Sequence, residues 1–176
     1  RRRTGAVAIA AGLLVALMSP FILAAAVPDS YTPFVVASVA ALCMWMLTRW
    51  TPGLEWGEHW RLGTAVMLLA AGVLVAVAGV LEFRRARTTV NPTTPQAASA
   101  MVRSGIYRHT RNPMYLGMLL VLAAWAVWLA NPAACVVLPV FLLYINRFQV
   151  EPEERILAGL FAGEFDAYRR SVRRWL

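Results

Sequence analysis

Two stretches hold most of the side chains in this sequence that could do chemistry on a small molecule. The first is Ser104-Gly105-Ile106-Tyr107-Arg108-His109-Thr110-Arg111-Asn112-Pro113-Met114-Tyr115-Leu116-Gly117, and the second is Glu151-Pro152-Glu153-Glu154. A long apolar run separates them, so charge stands at both ends of one hydrophobic excursion. Ionisable groups at the edge of hydrocarbon are costly unless partnered, which makes them a site hypothesis by default. An arginine can grip a carboxylate through two parallel hydrogen bonds, open amides at a helix start favour anions, and a glutamate accepts from an ammonium or a ribose hydroxyl. Arg108, Arg111, Asn112, Glu153 and Glu154 at one level would therefore suit a bound zwitterion, with apolar surroundings for a lipid-like partner. Each residue also has a plainer use. Asn112 and Pro113 make a good helix start, the two glutamates suit the positive end of a helix, and Tyr115 is ordinary at a membrane boundary. What favours a site is their convergence.

The elements that must bring the two stretches together are membrane helices. A chain of 176 residues is one domain by length, and 60% hydrophobic content with a mean hydropathy of +0.59 is too apolar for an ordinary soluble fold. The expected fold is all-α: an integral membrane bundle of about five transmembrane helices with amphipathic helices at its C-terminal end. The apolar runs are Ala6 to Val27 (kinked at Pro20), Phe34 to Leu47, Leu62 to Phe83, Met114 to Ala130, and Ala133 to Tyr144 with extension through Ile145 and Phe148. The first has the basic start and the Ala24-Ala25-Ala26 end of a signal peptide, but its length favours a retained helix. With no initiator methionine, the numbering reads as starting inside a longer chain. Asn131-Pro132 folds the last two runs into a hairpin, which returns Glu153 to the side of Arg111. Beyond Pro152 the polarity changes. Ile156, Leu157, Leu160 and Phe161 make one helical stripe, and Phe165, Tyr168 and Val172 another, as in amphipathic helices lying on a membrane or over a site.

Between the second and third runs, Trp50, Trp56 and Trp60 stand among charges, the pattern of a headgroup anchor. Gly72 and Gly79 are seven apart and share a helix face, most simply for close helix packing. The polar connection from Arg84 to Asn112 is too long for a mere tie. All 17 basic residues are arginine. They cluster beside apolar runs, which fits anionic lipid and not nucleic acid. With five crossings, twelve arginines fall on one side and five on the other, which places the twelve in the cytoplasm, at an inner membrane. Cys43 and Cys135 lie inside apolar runs without a ligand neighbour and read as small core residues, and His59 and His109 lie in different loops. No metal site is expected.

The order of residues adds a resemblance. Thr88-Thr89-Val90-Asn91-Pro92, Met101 to Arg108, Thr110 to Gly117, Glu153-Glu154-Arg155-Ile156-Leu157, Phe161, Tyr168 and Val172-Arg173-Arg174-Trp175-Leu176 together resemble the isoprenylcysteine carboxyl methyltransferase and phospholipid methyltransferase superfamily. The likeness covers about Thr88 to Leu176, while the helices within 1–83 resemble the superfamily only in being apolar. It implies one membrane-embedded domain over 1–176, with 84–176 as the cofactor-binding region. It also implies transfer of a methyl group from S-adenosylmethionine to a lipid or lipidated small-molecule acceptor. The family's Arg-Asn-Pro-x-Tyr element falls on Arg111, Asn112, Pro113 and Tyr115, and its paired glutamates fall on Glu153 and Glu154. By the same resemblance Tyr107, Arg108 and Gly117 join these as cofactor-binding residues, and Arg111, Tyr115 and Glu154 are the catalytic candidates. Asparagine at 112, where histidine is common, is more like the phospholipid-methylating and bacterial branches. Phe165 stands where that family has a tyrosine.

Such a reaction asks mostly for placement, because a sulfonium methyl is already activated and alignment at roughly 3 to 3.5 Å supplies much of the acceleration. A carboxylate acceptor needs no base. An amine or thiol must lose a proton, for which Glu82, Tyr107 or a water is the candidate, and Arg155 or Arg173 could neutralise an anionic acceptor. The alternatives are a phospholipid amine or small-thiol methyltransferase, a membrane sterol-reductase-like enzyme using NADPH, and a non-catalytic membrane subunit.

Overall fold

A computed structural model of the chain describes residues 32–55, 57–86 and 101–176. The first apolar run, the Pro28-Asp29-Ser30 turn, Trp56 and the Thr88 to Pro95 part of the polar connection lie outside those residues. Among the described residues the regular structure is helical throughout, without strands. Helix α1 spans Thr32–Leu47, α2 Glu58–Arg85, α3 Pro113–Leu129, α4 Pro132–Cys135, α5 Val137–Ile145 and α6 Glu151–Ser171. A 3-10 turn at Gly105–Arg108 precedes α3, and a π turn at Asn146–Val150 joins α5 to α6.

Helix α3 sits at the centre because its sequence is apolar all round. Ten of its 17 residues are buried, including Leu116, Met118, Val121, Leu122, Trp125 and Ala126, and a helix without a polar face has to be enclosed. On one side it meets α1 and α5: Ala37, Ala40 and Met44 join Tyr115, Met118, Leu122, Trp125, Phe141 and Ile145 in one core. The Trp125 indole donates to the carbonyl of Ala41 at 3.1 Å, which satisfies the one polar atom that this ring carries inward. On the other side α3 lies against α2 through small residues. A β-carbon at Gly72 would stand 2.7 Å from the Gly117 carbonyl, and one at Gly117 would stand 2.6 Å from the Gly72 carbonyl and 2.7 Å from the Ala76 β-carbon. Gly79 faces Pro113 and Met114 one step further along. The glycine face of α2 is thus a helix seam, as its spacing predicts.

At 28 residues, α2 is about 42 Å long at about 1.5 Å per residue. Glu58 in its first turn and Arg84 and Arg85 in its last complement the helix dipole. It and the continuous helical run Pro132–Ser171 are the two described helices long and apolar enough to cross a membrane; α1 and α3 are apolar but shorter, at 16 and 17 residues. Outward faces carry Val35, Val39 and Leu42 on α1, Val66, Met67 and Leu74 on α2, and Val140 and Leu143 on α5. An apolar exterior on an apolar core fits a lipid surround.

Three expectations change. The third apolar helix starts at Glu58, so Glu58, His59, Trp60 and Arg61 belong to α2 and not to a loop. Pro152 opens no separate passage, because the helical run continues through it. The wider π turn before it carries the register past a ring that cannot donate a hydrogen bond. The break falls at Phe161 and Ala162, whose non-helical dihedrals divide α6 into two limbs, between the two apolar stripes read from the sequence. Cys43 and Cys135 are exposed on outer faces and are not core residues.

At the far end of the bundle, Asn131 caps α4 by accepting from the Ala133 amide at 2.9 Å and donates to the Thr51 carbonyl at 3.1 Å. Arg61 lies 5.2 Å over the ring of Trp128. The candidate residues stand at the opposite end.

If the α2–α3 seam holds the bundle, Gly117→Ala forces the helices apart. It should destabilise by about 1–3 kcal/mol, read from thermal unfolding in detergent. Gly63→Ala is the control: it meets nothing within 4 Å, and an open helical glycine should gain roughly 0.5–1 kcal/mol on substitution.

Candidate functional site

The site is built where the N-terminal ends of α3 and α6 meet the chain's last residues. Asn112 stands before α3 and Pro113 takes its first position, where a missing amide proton costs nothing. Asn112 does not cap the helix with its side chain. Its Nδ2 donates instead to the carbonyl of Arg174 at 3.0 Å. Thr110, 1% exposed, donates its hydroxyl to the same carbonyl at 3.2 Å. The Arg111 amide donates to the carbonyl of Arg173 at 3.1 Å. The extended tail after α6 is therefore laced to the segment that enters α3.

The hairpin of α3 and α5 brings the two charged stretches together. Glu154 lies between two guanidinium groups. Arg174 holds it as a fork, with Nη2 2.7 Å from Oε2 and Nε 3.2 Å from Oε1, and Arg111 Nη1 stands 3.2 Å from Oε1. The side chains of Glu154 and Arg111 are only 13% and 10% exposed. The Arg111 contact is close but poorly aligned, so Nε and Nη1 of Arg111 are buried without a hydrogen-bond partner among the described residues. Burial also lowers the Arg111 pKa from its ordinary value, and the neighbouring Glu154 charge opposes that shift.

One residue earlier, Glu153 faces another way and accepts a hydrogen bond from the hydroxyl of the buried Tyr115. Successive helical residues point about 100° apart. One carboxylate therefore meets a neutral donor and its neighbour meets two cations. An open cleft of about 330 Å³ borders Glu154 and is lined also by Arg147, Glu151, Arg155, Ala158, Phe165 and Arg169.

A second polar cluster fixes the approach segment. Glu82, buried at the end of α2, accepts from the Ser104 hydroxyl and from Arg85 at 2.7 Å. Gly105 has a φ of +56°, and a β-carbon there would stand 2.5 Å from Glu82 Cδ. A side chain is excluded on both counts. Tyr107 follows in the 3-10 turn, buried, with its ring edge-on to Phe83 at 5.4 Å and its carbonyl accepting from the Tyr168 hydroxyl at 2.7 Å. Burial first, then the charges of Tyr168, Glu153 and Glu82, hold the Tyr107 phenol well above its usual pKa. It is a neutral donor and a poor base.

The structure gathers Arg111, Asn112, Pro113, Tyr115, Glu153 and Glu154 at one corner, with Tyr107 in the segment that leads there. It does not place Arg108 and Gly117 with them. Arg108 points to the exposed side of the 3-10 turn and forms no ion pair with either glutamate. Gly117 is two residues past Tyr115, about 200° around the helix, and its face is the seam with α2. Glu82 has both carboxylate oxygens engaged and secures the loop, so it is not presented as a free base. Arg155 and Arg173 are exposed. The arginine at the centre is Arg174, which belongs to the Val172 to Leu176 run of the resemblance but has no role assigned by it, and that run is its one signal in the sequence. No group of His, Cys, Asp and Glu able to hold a metal occurs among the described residues.

Comparison with known proteins gives three findings. Residues 60–164 match the family model described as "Phospholipid methyltransferase". An uncharacterized protein of Haemophilus influenzae is 46% identical over 63 residues, which is 36% of this chain and 100% of that protein. The Arabidopsis thaliana protein named "Protein-S-isoprenylcysteine O-methyltransferase A" is 25% identical over 122 residues, covering 69% of this chain and 61% of that protein, so this chain matches about three fifths of its length. No solved structure matches.

Tyr115→Phe removes the hydroxyl that donates to Glu153 and that also meets Gln149. It should lower stability by about 1–3 kcal/mol, the cost of leaving a buried polar partner unsatisfied, whereas Tyr144→Phe on the outer face of α5 should stay near zero in the same unfolding assay.

Proposed function

The chain belongs to the phospholipid methyltransferase family, and from that premise we propose that it is an integral membrane enzyme that methylates a lipophilic acceptor with S-adenosylmethionine as donor. The observation that carries the proposal is the Arg111 guanidinium: nearly buried, with two nitrogens lacking hydrogen-bond partners among the described residues, at the corner shared by the starts of α3 and α6. A buried donor left unpaired costs about 1–3 kcal/mol, so it marks a place where an anionic group would be welcome.

The donor set fits a zwitterionic amino-acid group. Arg111 would receive a carboxylate, with the open amides of the first turn of α3 beside it. Glu153 would accept from the ammonium or from ribose hydroxyls, and Tyr115 holds Glu153 toward that position. Asn112 and Pro113 set the geometry of the helix start that presents Arg111. When bound, S-adenosylmethionine supplies a sulfonium methyl that needs no further activation.

The remaining work is positional. The bundle keeps apolar helices around the corner, and we read the open cleft that borders Glu154 as the approach for an acceptor headgroup. Tyr107, kept protonated by its burial, can donate but not abstract a proton, so an acceptor that titrates must lose its proton before it enters or give it to water. We read the chain as crossing the membrane about five times. Two long helices and two shorter apolar ones would account for four of these crossings, and the first apolar run lies outside the described residues. We read the arginine-rich end, which carries the site, as cytoplasmic by charge bias. Among acceptors, isoprenylated thioether acids and phospholipid amines are the classes that the family and the Arabidopsis relative's name point toward.

The purified protein in lipid nanodiscs should bind S-adenosylmethionine in calorimetry. Arg111→Ala and Glu153→Gln should each weaken that binding by about tenfold or more, and neither change strips Glu154 of Arg174. Undiminished binding in both variants rejects the pocket. Methyl transfer from labelled donor to a total lipid extract would name the acceptor. Saturable NADPH binding with none for S-adenosylmethionine would replace the methyltransferase reading by a reductase.

A further inference from the structure

We propose that Arg174 is a positioning residue of this site: by taking both oxygens of Glu154, it keeps the Arg111 guanidinium available to a ligand carboxylate. The inference rests on the methyltransferase reading and extends it to a residue that the reading does not use.

Glu154 and an incoming carboxylate compete for the same cation. Arg111 Nη1 is already 3.2 Å from Glu154 Oε1, and a small rotation of that carboxylate would align it on Arg111 as a fork. The fork is instead occupied by Arg174, through Nη2 and Nε. The outcome is visible in Arg111, whose Nε and Nη1 are buried and free of hydrogen bonds among the described residues despite a carboxylate within reach. Without Arg174 the buried Glu154 would need another partner, and Arg111 is the cation beside it.

The position of Arg174 does not depend on its own side chain. Its carbonyl accepts from Asn112 Nδ2 at 3.0 Å and from the Thr110 hydroxyl at 3.2 Å, while the preceding carbonyl accepts from the Arg111 amide at 3.1 Å. Trp175 adds an indole hydrogen bond to Asn146 Oδ1 at 3.2 Å. The tail is thus moored to the segment that carries Arg111, and replacing the guanidinium alone leaves those anchors in place.

The test compares two ligands that differ by one carboxylate, S-adenosylmethionine and decarboxylated S-adenosylmethionine, bound to the full chain in nanodiscs. Wild type should prefer the carboxylated ligand by about tenfold or more. Arg174→Gln should cut that preference by about tenfold while leaving the affinity for the decarboxylated ligand within about twofold, because only the carboxylate's partner has been taken. A purely structural role for Arg174 would weaken both ligands alike, and that result, or an unchanged preference, overturns the inference. Should Arg174→Gln alone fold poorly, Glu154→Gln and the double variant Glu154→Gln/Arg174→Gln carry the test. With no carboxylate left to restrain, the two should show the same preference, and a loss confined to the double variant rejects action through Glu154. If wild type binds neither ligand, the methyltransferase reading itself fails and this inference falls with it, an outcome distinct from any change in the ratio.

Discussion

A carboxylate held at the end of an apolar bundle is the constraint around which this structure is arranged. Glu154 is nearly withdrawn from solvent, and a charge in that position is tolerated only with close, well-aligned partners. It has one aligned partner, Arg174, and a second close cation, Arg111, from segments far apart in the chain. Their meeting requires α3 and the Pro132–Ser171 run to fold back side by side, the loop before α3 to turn inward, and the tail after α6 to lie across that loop. Removing one member of such a buried set typically costs about 3–5 kcal/mol, because the remaining charges lose their compensation. The ion cluster therefore ties the loop before α3, the start of α6 and the tail to one another.

The core supplies what the charges cannot. Apolar contact is not directional, so the registry of α3 against α2 comes from where the two backbones can approach, at Gly72 opposite Gly117 and at Gly79 opposite Pro113. That contact sets the height of the first turn of α3, and with it the height of Arg111 and Tyr115. On the other flank the Trp125 hydrogen bond to α1 and the packing of Phe141 and Ile145 set the height of α5, hence of Glu153 and Glu154 beyond the π turn. Height along the bundle is decided by small residues and an indole, and ion pairing then closes the corner.

Much of this was legible from residue order. Apolar run lengths predicted the four apolar helices among the described residues, though not the start of α2, and Asn131-Pro132 predicted the hairpin that returns Glu153 to the level of Arg111. What escaped has identifiable physical causes. Gly117 was assigned by its place in a motif, but two residues along a helix turn its face away from Tyr115 and toward α2. Arg108 was grouped by proximity, yet the 3-10 turn that buries Tyr107 sends its neighbour outward. The continuation through Pro152 depends on a π turn, for which no residue type gives a signal. Arg174 lies 20 residues beyond its partner Glu154, in a tail with no periodicity of its own, where one arginine cannot be told from the next until the backbone bonds from Thr110 and Asn112 pick it out.

The two adjacent glutamates show how one helix start produces two electrostatic environments. A continuous helix turns Glu153 onto a neutral phenol and Glu154 onto two cations, although they share a peptide bond. Among the described residues the first has no cation beside it and so can answer one. The second is neutralised, and the pair of arginines around it carries net positive charge that can answer an anion. Opposite attractions therefore lie within one turn, which is the requirement for gripping a zwitterion at both of its poles. On the proposed reading the helix start itself separates the two poles, and the tail's contribution is to stop Glu154 from cancelling the cationic one.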